Sequence, residues 1–267
     1  IGQDEIRQRL EPIDDETRDQ TIKAAIHALN SSYVFPDMAR QMDAAITAHA
    51  AAGKYAGITS APRFAQVLTD DLRAVCHDKH LRVRLAPSGD GPGNQAPRNP
   101  AADADQNYGF EKAEVLQGNI GYIKFNGFSA SDEARKAAAA AMAVVADCDA
   151  VIFDVRGNGG GSPRMVEFLG GYLYDEPTVL NVFFDRKGKK VSQTKTLAAV
   201  PGKKLGSKVP VYVLTSGRTF SCAEEFSYDL QTTKRGVIVG ETTGGGAHPV
   251  MGRPLGDRFM IMVPFER

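Results

Sequence analysis

Residues 150–161 read Ala150-Val-Ile-Phe-Asp154-Val-Arg156-Gly-Asn-Gly-Gly160-Gly161, a continuous apolar run that ends in a charged turn and then in glycines. A short apolar run bounded by turn residues predicts a buried strand of the kind parallel sheets use. The glycines allow a tight turn and leave backbone N–H groups close to any ligand. From Pro163 a helix is expected, and the bare amides at its start can hold an anion. The same order recurs downstream. A buried strand over 209–215 leads through Thr215-Ser-Gly-Arg-Thr-Phe-Ser221-Cys-Ala-Glu224 into a helix over 223–230. A strand over 236–240 leads into Gly240-Glu-Thr-Thr-Gly-Gly-Gly-Ala-His248. Helices are predicted over 131–146 and 164–174, a hairpin over 109–116 and 120–125, and further strands over 178–184 and 259–263. Buried strands alternating with helices argue an α/β sheet, whose sites lie at the carboxyl ends of its strands.

Upstream the pattern is helical. Asp14 and Asp15 precede Ile22, Ala25, Ile26 and Leu29 at helical spacing, Pro36-Asp37 opens a second helix, and Ser60-Ala61-Pro62 opens a third. These predict a small helical bundle within residues 14–77. Residues 81–85 alternate Leu, Val and Leu with two Arg and predict a strand. Residues 87–106 are rich in Pro, Gly, Asn and Asp with no apolar period, the composition of a linker. The expected organisation is a helical domain over 1–86, a flexible linker over 87–107 and an α/β domain over 108–267. No internal repeat is visible.

Of 267 residues 42% are hydrophobic and 24% charged, which fits a globular protein with a core of ordinary size. Lys+Arg and Asp+Glu are both 32, so neither nucleic acid nor an acidic membrane surface is indicated as a partner. Cys76, Cys148 and Cys222 cannot build a disulfide framework, and their spacing fits no metal site. No stretch reaches the roughly 20 apolar residues needed to span a bilayer.

Three loops and one upstream segment carry candidate chemistry. The loop at 154–161 offers amides for an oxyanion or a phosphate, although no Gly-Lys-Ser/Thr follows, and it reads equally as a plain connecting turn. Ser221, at a strand-to-helix turn, is placed for nucleophilic attack, with the next amide aimed at the same oxygen. Ser221-Cys-Ala-Glu224 also fits a capping box, so the same serine reads as a helix N-cap. His248, with Gly245 and Gly246, is a candidate substrate contact or an ordinary loop group. His80, in Asp78-Lys-His80, is a candidate base.

In order and at compatible spacing, DKHLRV (78–83), VIFDVRGNGGG (151–161), TSGRTFSCAEEF (215–226) and GETTGGGAHP (240–249) resemble the S41 serine peptidases, which include C-terminal processing (tail-specific) proteases, the tricorn core and the interphotoreceptor retinoid-binding protein. The likeness covers most of the chain. It implies an S41 core, a spiral of strands and helices of the ClpP/crotonase kind, behind an N-terminal helical bundle. It implies Ser221 as nucleophile, an oxyanion hole from the amides of Cys222 and of Gly160 or Gly161, and a peptide or protein substrate. It calls for no metal and no nucleotide. Tail-specific members use a Lys as base where this chain has Gly246. The tricorn-like branch uses an upstream His that His80 matches, with Lys79 in place of a preceding Ser and Asp78 as the group to orient the ring. The acidic partner of that branch falls beyond Arg267, and the chain is expected to stop in mid-hairpin. The linker stands where processing proteases carry a PDZ domain. The resemblance also implies an extracytoplasmic location and, as the competing reading, a non-catalytic binder of apolar ligands like the retinoid-binding relative. A phosphate-binding enzyme using Arg156 is the third.

Overall fold

Side-chain caps and prolines set the helix starts. Asp14 accepts the Thr17 N–H at 2.8 Å at the head of α1 (Asp15–Ser32), Pro36 begins α2 (Pro36–Ala51), and Ser60 caps α3 (Ala61–Cys76). The computed structural model describes residues 12–86, 104–246 and 248–267; the expected linker over 87–107 lies outside them except for its last four residues. The described residues fall into two compact units, one of 12–86, 184–190 and 248–267, the other of 104–183 and 191–246.

The first unit is not a pure helical bundle. Its three helices share a core with a three-stranded antiparallel sheet in the order β1 (Arg82–Leu85), β10 (Phe259–Pro264), β9 (Val250–Leu255). Val83 stands opposite Ile261, and Ile261 opposite Arg253. Phe64, Leu68 and Leu72 of α3 pack with Phe259, Ile261 and Val263, and the Phe64 and Phe259 rings meet edge-on at 5.6 Å. Residues 248–267, expected in the α/β domain, therefore fold with the N-terminal helices, because β1 needs β10 as its hydrogen-bonding neighbour. β9 and β10 pair from Leu255↔Phe259 through Val250↔Pro264. The short segment 184–190 joins this unit through Phe184, which exchanges backbone hydrogen bonds with Arg267 at 2.8 and 3.0 Å.

The second unit is the α/β sheet anticipated from 150–161. Its order is β2 (Phe110–Leu116), β3 (Ile120–Phe125), β4 (Ala150–Asp154), β7 (Val211–Thr215), β8 (Val237–Gly240). β2 and β3 form the antiparallel hairpin, and Gly118 and Asn119 take its left-handed backbone at φ 86° and 58°. From β3 to β8 all pairs are parallel. Alternate residues Ile123, Phe125, Val151, Phe153, Val211 and Val213 share one core with α4 (Asp132–Val144), α5 (Pro163–Leu173) and α6 (Cys222–Thr232). Phe226 of α6 sits edge-on to Phe153 at 5.4 Å and tilted on Phe128 at 5.8 Å, which fixes the helix beneath the loops. Two strands escape the sequence reading. β6 (Lys190–Lys195), which pairs with β5 (Val179–Phe184), is almost wholly polar, and β9 contains Gly252 and Pro254. Pro254 is tolerated because β9 is an edge strand.

Candidate active site

β4, β7 and β8 are neighbours and parallel, so the loops that leave their carboxyl ends emerge side by side. Hydrogen bonds between loops weld them together. The Thr219 hydroxyl, on a fully buried residue, donates to Val155 O at 2.9 Å, and Ser216 Oγ donates to Arg156 O at 2.6 Å. The Phe220 N–H donates to Asn158 O at 3.0 Å, and the Gly244 N–H to Thr219 O at 2.8 Å. Asn158 is itself fully buried; its Nδ2 donates to Phe125 O at 3.0 Å and its Oδ1 accepts the Gly160 N–H at 2.8 Å.

Ser221 stands at the turn into α6 with φ 57° and ψ −126°, a left-handed backbone that a side chain with a Cβ seldom adopts. Such conformations cost about 1–3 kcal/mol and persist only where surrounding structure enforces them. The enforcement is visible. Gly160 backs directly onto the turn, so closely that a Cβ there would lie 2.7 Å from Phe220 O and from Ser221 Cβ. On the other side the Ser221 N–H donates to Glu224 Oε2 at 2.8 Å. The Glu224 carboxylate also accepts the N–H groups of Gly245 and Gly246, each at 2.6 Å. Sequence reasoning identified Glu224 only as a capping residue; it also ties the β8 loop to the Ser221 turn.

The expected oxyanion donors separate into two kinds. The Gly160 N–H is consumed by Asn158, so Gly160 serves as a close-packed spacer and not as a donor. For the other two, Gly161 and Cys222, the Cys222 thiol donates to Gly161 O at 3.3 Å, holding the two residues together. Burial pushes that thiol far above its ordinary pKa, so it stays neutral. Gly245 and Gly246, expected to meet a substrate, have their amides committed to Glu224.

Below the glycine loop, Asp154 is 1% exposed and accepts bonds from Tyr122 Oη at 2.7 Å and from Arg156 Nε at 2.9 Å. Burial alone would raise its carboxyl, but the Arg156 and Tyr122 bonds outweigh it and bring the pKa down to about 2. Arg156 is thereby engaged as a brace of the loop, which removes the main cation from the phosphate-binding reading.

His80 and His248 belong to the first unit. Asp78, expected to orient the His80 ring, accepts the His80 backbone N–H at 2.9 Å through Oδ1, so that oxygen fixes the main chain. His248 lies edge-on to Phe35 with ring centroids 5.4 Å apart. Burial depresses its pKa, opposed by the Asp78 carboxylate. Among the described residues no group of three or more His, Cys, Asp or Glu could hold a metal ion, and no helix is long and apolar enough to cross a membrane.

Residues 119–267 match the model of peptidase family S41, and residues 16–117 match the model described as the N-terminal domain of peptidase S41 in eukaryotic IRBP. Among solved structures, a candidate peptidase from Parabacteroides merdae is 19% identical, covering 93% of this chain and 83% of its own, with a TM-score of 0.63. A photosystem II D1 C-terminal processing protease is 15% identical, with 96% and 88% coverage and a TM-score of 0.53. A lipoprotein from Streptococcus agalactiae is 14% identical, with 95% and 86% coverage and a TM-score of 0.59.

Proposed function

The chain belongs to peptidase family S41, and on that premise we propose that it hydrolyses peptide bonds through an acyl-enzyme formed on Ser221. The observation that carries this reading is the backbone of Ser221, held left-handed at φ 57° between a glycine that cannot take a Cβ and a carboxylate clamp. An N-cap needs no such conformation; a serine raised on a sharp strand-to-helix turn does.

In the proposed mechanism Ser221 Oγ attacks the scissile carbonyl carbon while its proton passes to a base. The carbonyl oxygen gains negative charge and is met by the N–H groups of Cys222 and Gly161. Donors of this kind contribute roughly 3 kcal/mol each to the transition state. The amine leaves with a proton, and water then attacks the acyl group by the reverse path. The proposed base is His80, on its sequence match to the tricorn-like branch alone, and His248 with the 244–246 loop is the proposed substrate contact. The substrate is a peptide or protein, and the location is extracytoplasmic, as the family resemblance implies.

A second reading, a binder of apolar ligands without catalysis, draws on the IRBP-type match of residues 16–117. One experiment separates the two. The folded chain is treated with a fluorophosphonate probe beside its Ser221→Ala variant. Labelling that disappears in the variant supports the peptidase. Absence of labelling in both sinks it, and a retinoid titration then tests the binder.

A further inference from the structure

Glu225 and Asp229 stand one helical turn apart on α6. Asp229 is 0% exposed. A single side-chain amide serves both carboxyls: Asn181 Nδ2, on β5, donates to Glu225 Oε1 at 3.2 Å and to Asp229 Oδ1 at 2.9 Å. The second oxygen, Asp229 Oδ2, is buried with no hydrogen-bond partner among the described residues. The titratable groups facing the pair offer no compensating charge. The Cys222 thiol of α6, whose proton goes to Gly161 O, lies beside Glu225, Glu167 of α5 adds a further negative charge, and Tyr174 beyond α5 has its hydroxyl on Thr233 Oγ1 at 2.6 Å. Arg235, beside Tyr174, commits its guanidinium to the carbonyls of Leu173 and Gly206 at 2.5 and 2.7 Å.

Two ionised carboxylates, Asp229 buried and Glu225 partly buried, sharing one amide and with no counter-ion among the described residues, repel each other and lose hydration. We propose that Glu225 and Asp229 hold one proton between them in the folded protein, and that losing it as pH rises loosens α6, the helix that carries Ser221 at its head. Burial, then the charge of Glu225, raises the Asp229 carboxyl to about 7, and burial raises Glu225 as well. These values belong to the pair as a unit.

The sign follows from linkage. An unfolded Asp releases its proton near pH 3.9. Between about pH 4 and the folded value of about 7 the folded state therefore binds more protons than the unfolded one, and stability falls as pH rises. The test is urea unfolding of the full chain and of Asp229→Asn from pH 4.5 to 8. Asn keeps the shape without the charge. The expected result is a ratio of the two unfolding constants that moves on the order of 100-fold across the range, with the wild type losing ground at high pH. A ratio constant with pH overturns the proposal. If Asp229→Asn fails to fold, Glu225→Gln removes the neighbouring charge while burial still raises Asp229, so this variant should lose less stability between pH 4.5 and 8 than the wild type; an equal loss likewise overturns the proposal.

Discussion

The Ser221 N–H donates to Glu224 Oε2 at 2.8 Å, so the residue at the head of α6 is held by a carboxylate one turn into the same helix. Because that carboxylate also takes the amides of Gly245 and Gly246, it ties the β7 and β8 loops to each other. Replacing Glu224 with Gln turns one acceptor oxygen into a donor and strands at least one of three amides. Hydrogen bonds to a charged group are worth about 1.5–3 kcal/mol, so Glu224→Gln should lower unfolding free energy by about 2 kcal/mol. Amide exchange at Gly245 and Gly246 should quicken. Unchanged exchange there would show that the carboxylate does not hold the loop.

Gly160 and Gly159 are adjacent and make a matched pair of substitutions. At Gly160, with φ 92°, a methyl group would collide with Phe220 O, Ser221 Cβ and the Cys222 N–H, whereas at Gly159 it would meet nothing within 4 Å. Gly160→Ala should cost about 2 kcal/mol or more through backbone strain and displacement of the Ser221 turn, and should abolish fluorophosphonate labelling. Gly159→Ala should leave both stability and labelling near wild type. Equal behaviour of the two variants would contradict the close approach.

Much of this site is visible in the chain because it depends on local order. Each strand–glycine loop–helix step is read within a dozen residues, and parallel pairing of β4, β7 and β8 then brings the loops together. What depends on distant partners is not visible. Nothing near Glu224 announces that residues 245 and 246 will donate to it, and nothing near Gly160 says that Phe220 and Ser221 will press against it. The same holds for the fold: Gly252, Arg253 and Pro254 lack strand alternation, and β9 exists because β10 pairs with it while also pairing with β1. The exposed face of the sheet also departs from the run 209–215, read as buried, since Tyr212 is 38% exposed.

Asp154 supplies an acid-range test distinct from the carboxyl pair on α6. Its folded pKa of about 2 lies below the unfolded value, so its contribution is present above about pH 4 and is lost as pH falls toward 2. The shift corresponds to about 2 kcal/mol. Unfolding free energies of wild type and Asp154→Asn should converge by about that amount between pH 5 and pH 2, other carboxylates cancelling in the difference. Parallel curves would mean that the Arg156 and Tyr122 bonds do not favour the ionised form.

The left-handed backbone at Ser221 separates stability from chemistry. Alanine retains a Cβ and so retains the strain, while glycine occupies φ 57° freely. Strain at such a position amounts to about 1–2 kcal/mol per residue, partly offset by the greater freedom of glycine in the unfolded chain. Ser221→Gly should therefore be more stable than Ser221→Ala by about 1 kcal/mol, with neither variant labelled by the probe. Thermal unfolding of the two proteins side by side measures the difference directly. A glycine variant no more stable than the alanine one would mean that the turn relaxes once the hydroxyl is gone, and that the hydroxyl, not the clamp of Gly160 and Glu224, holds the backbone in place.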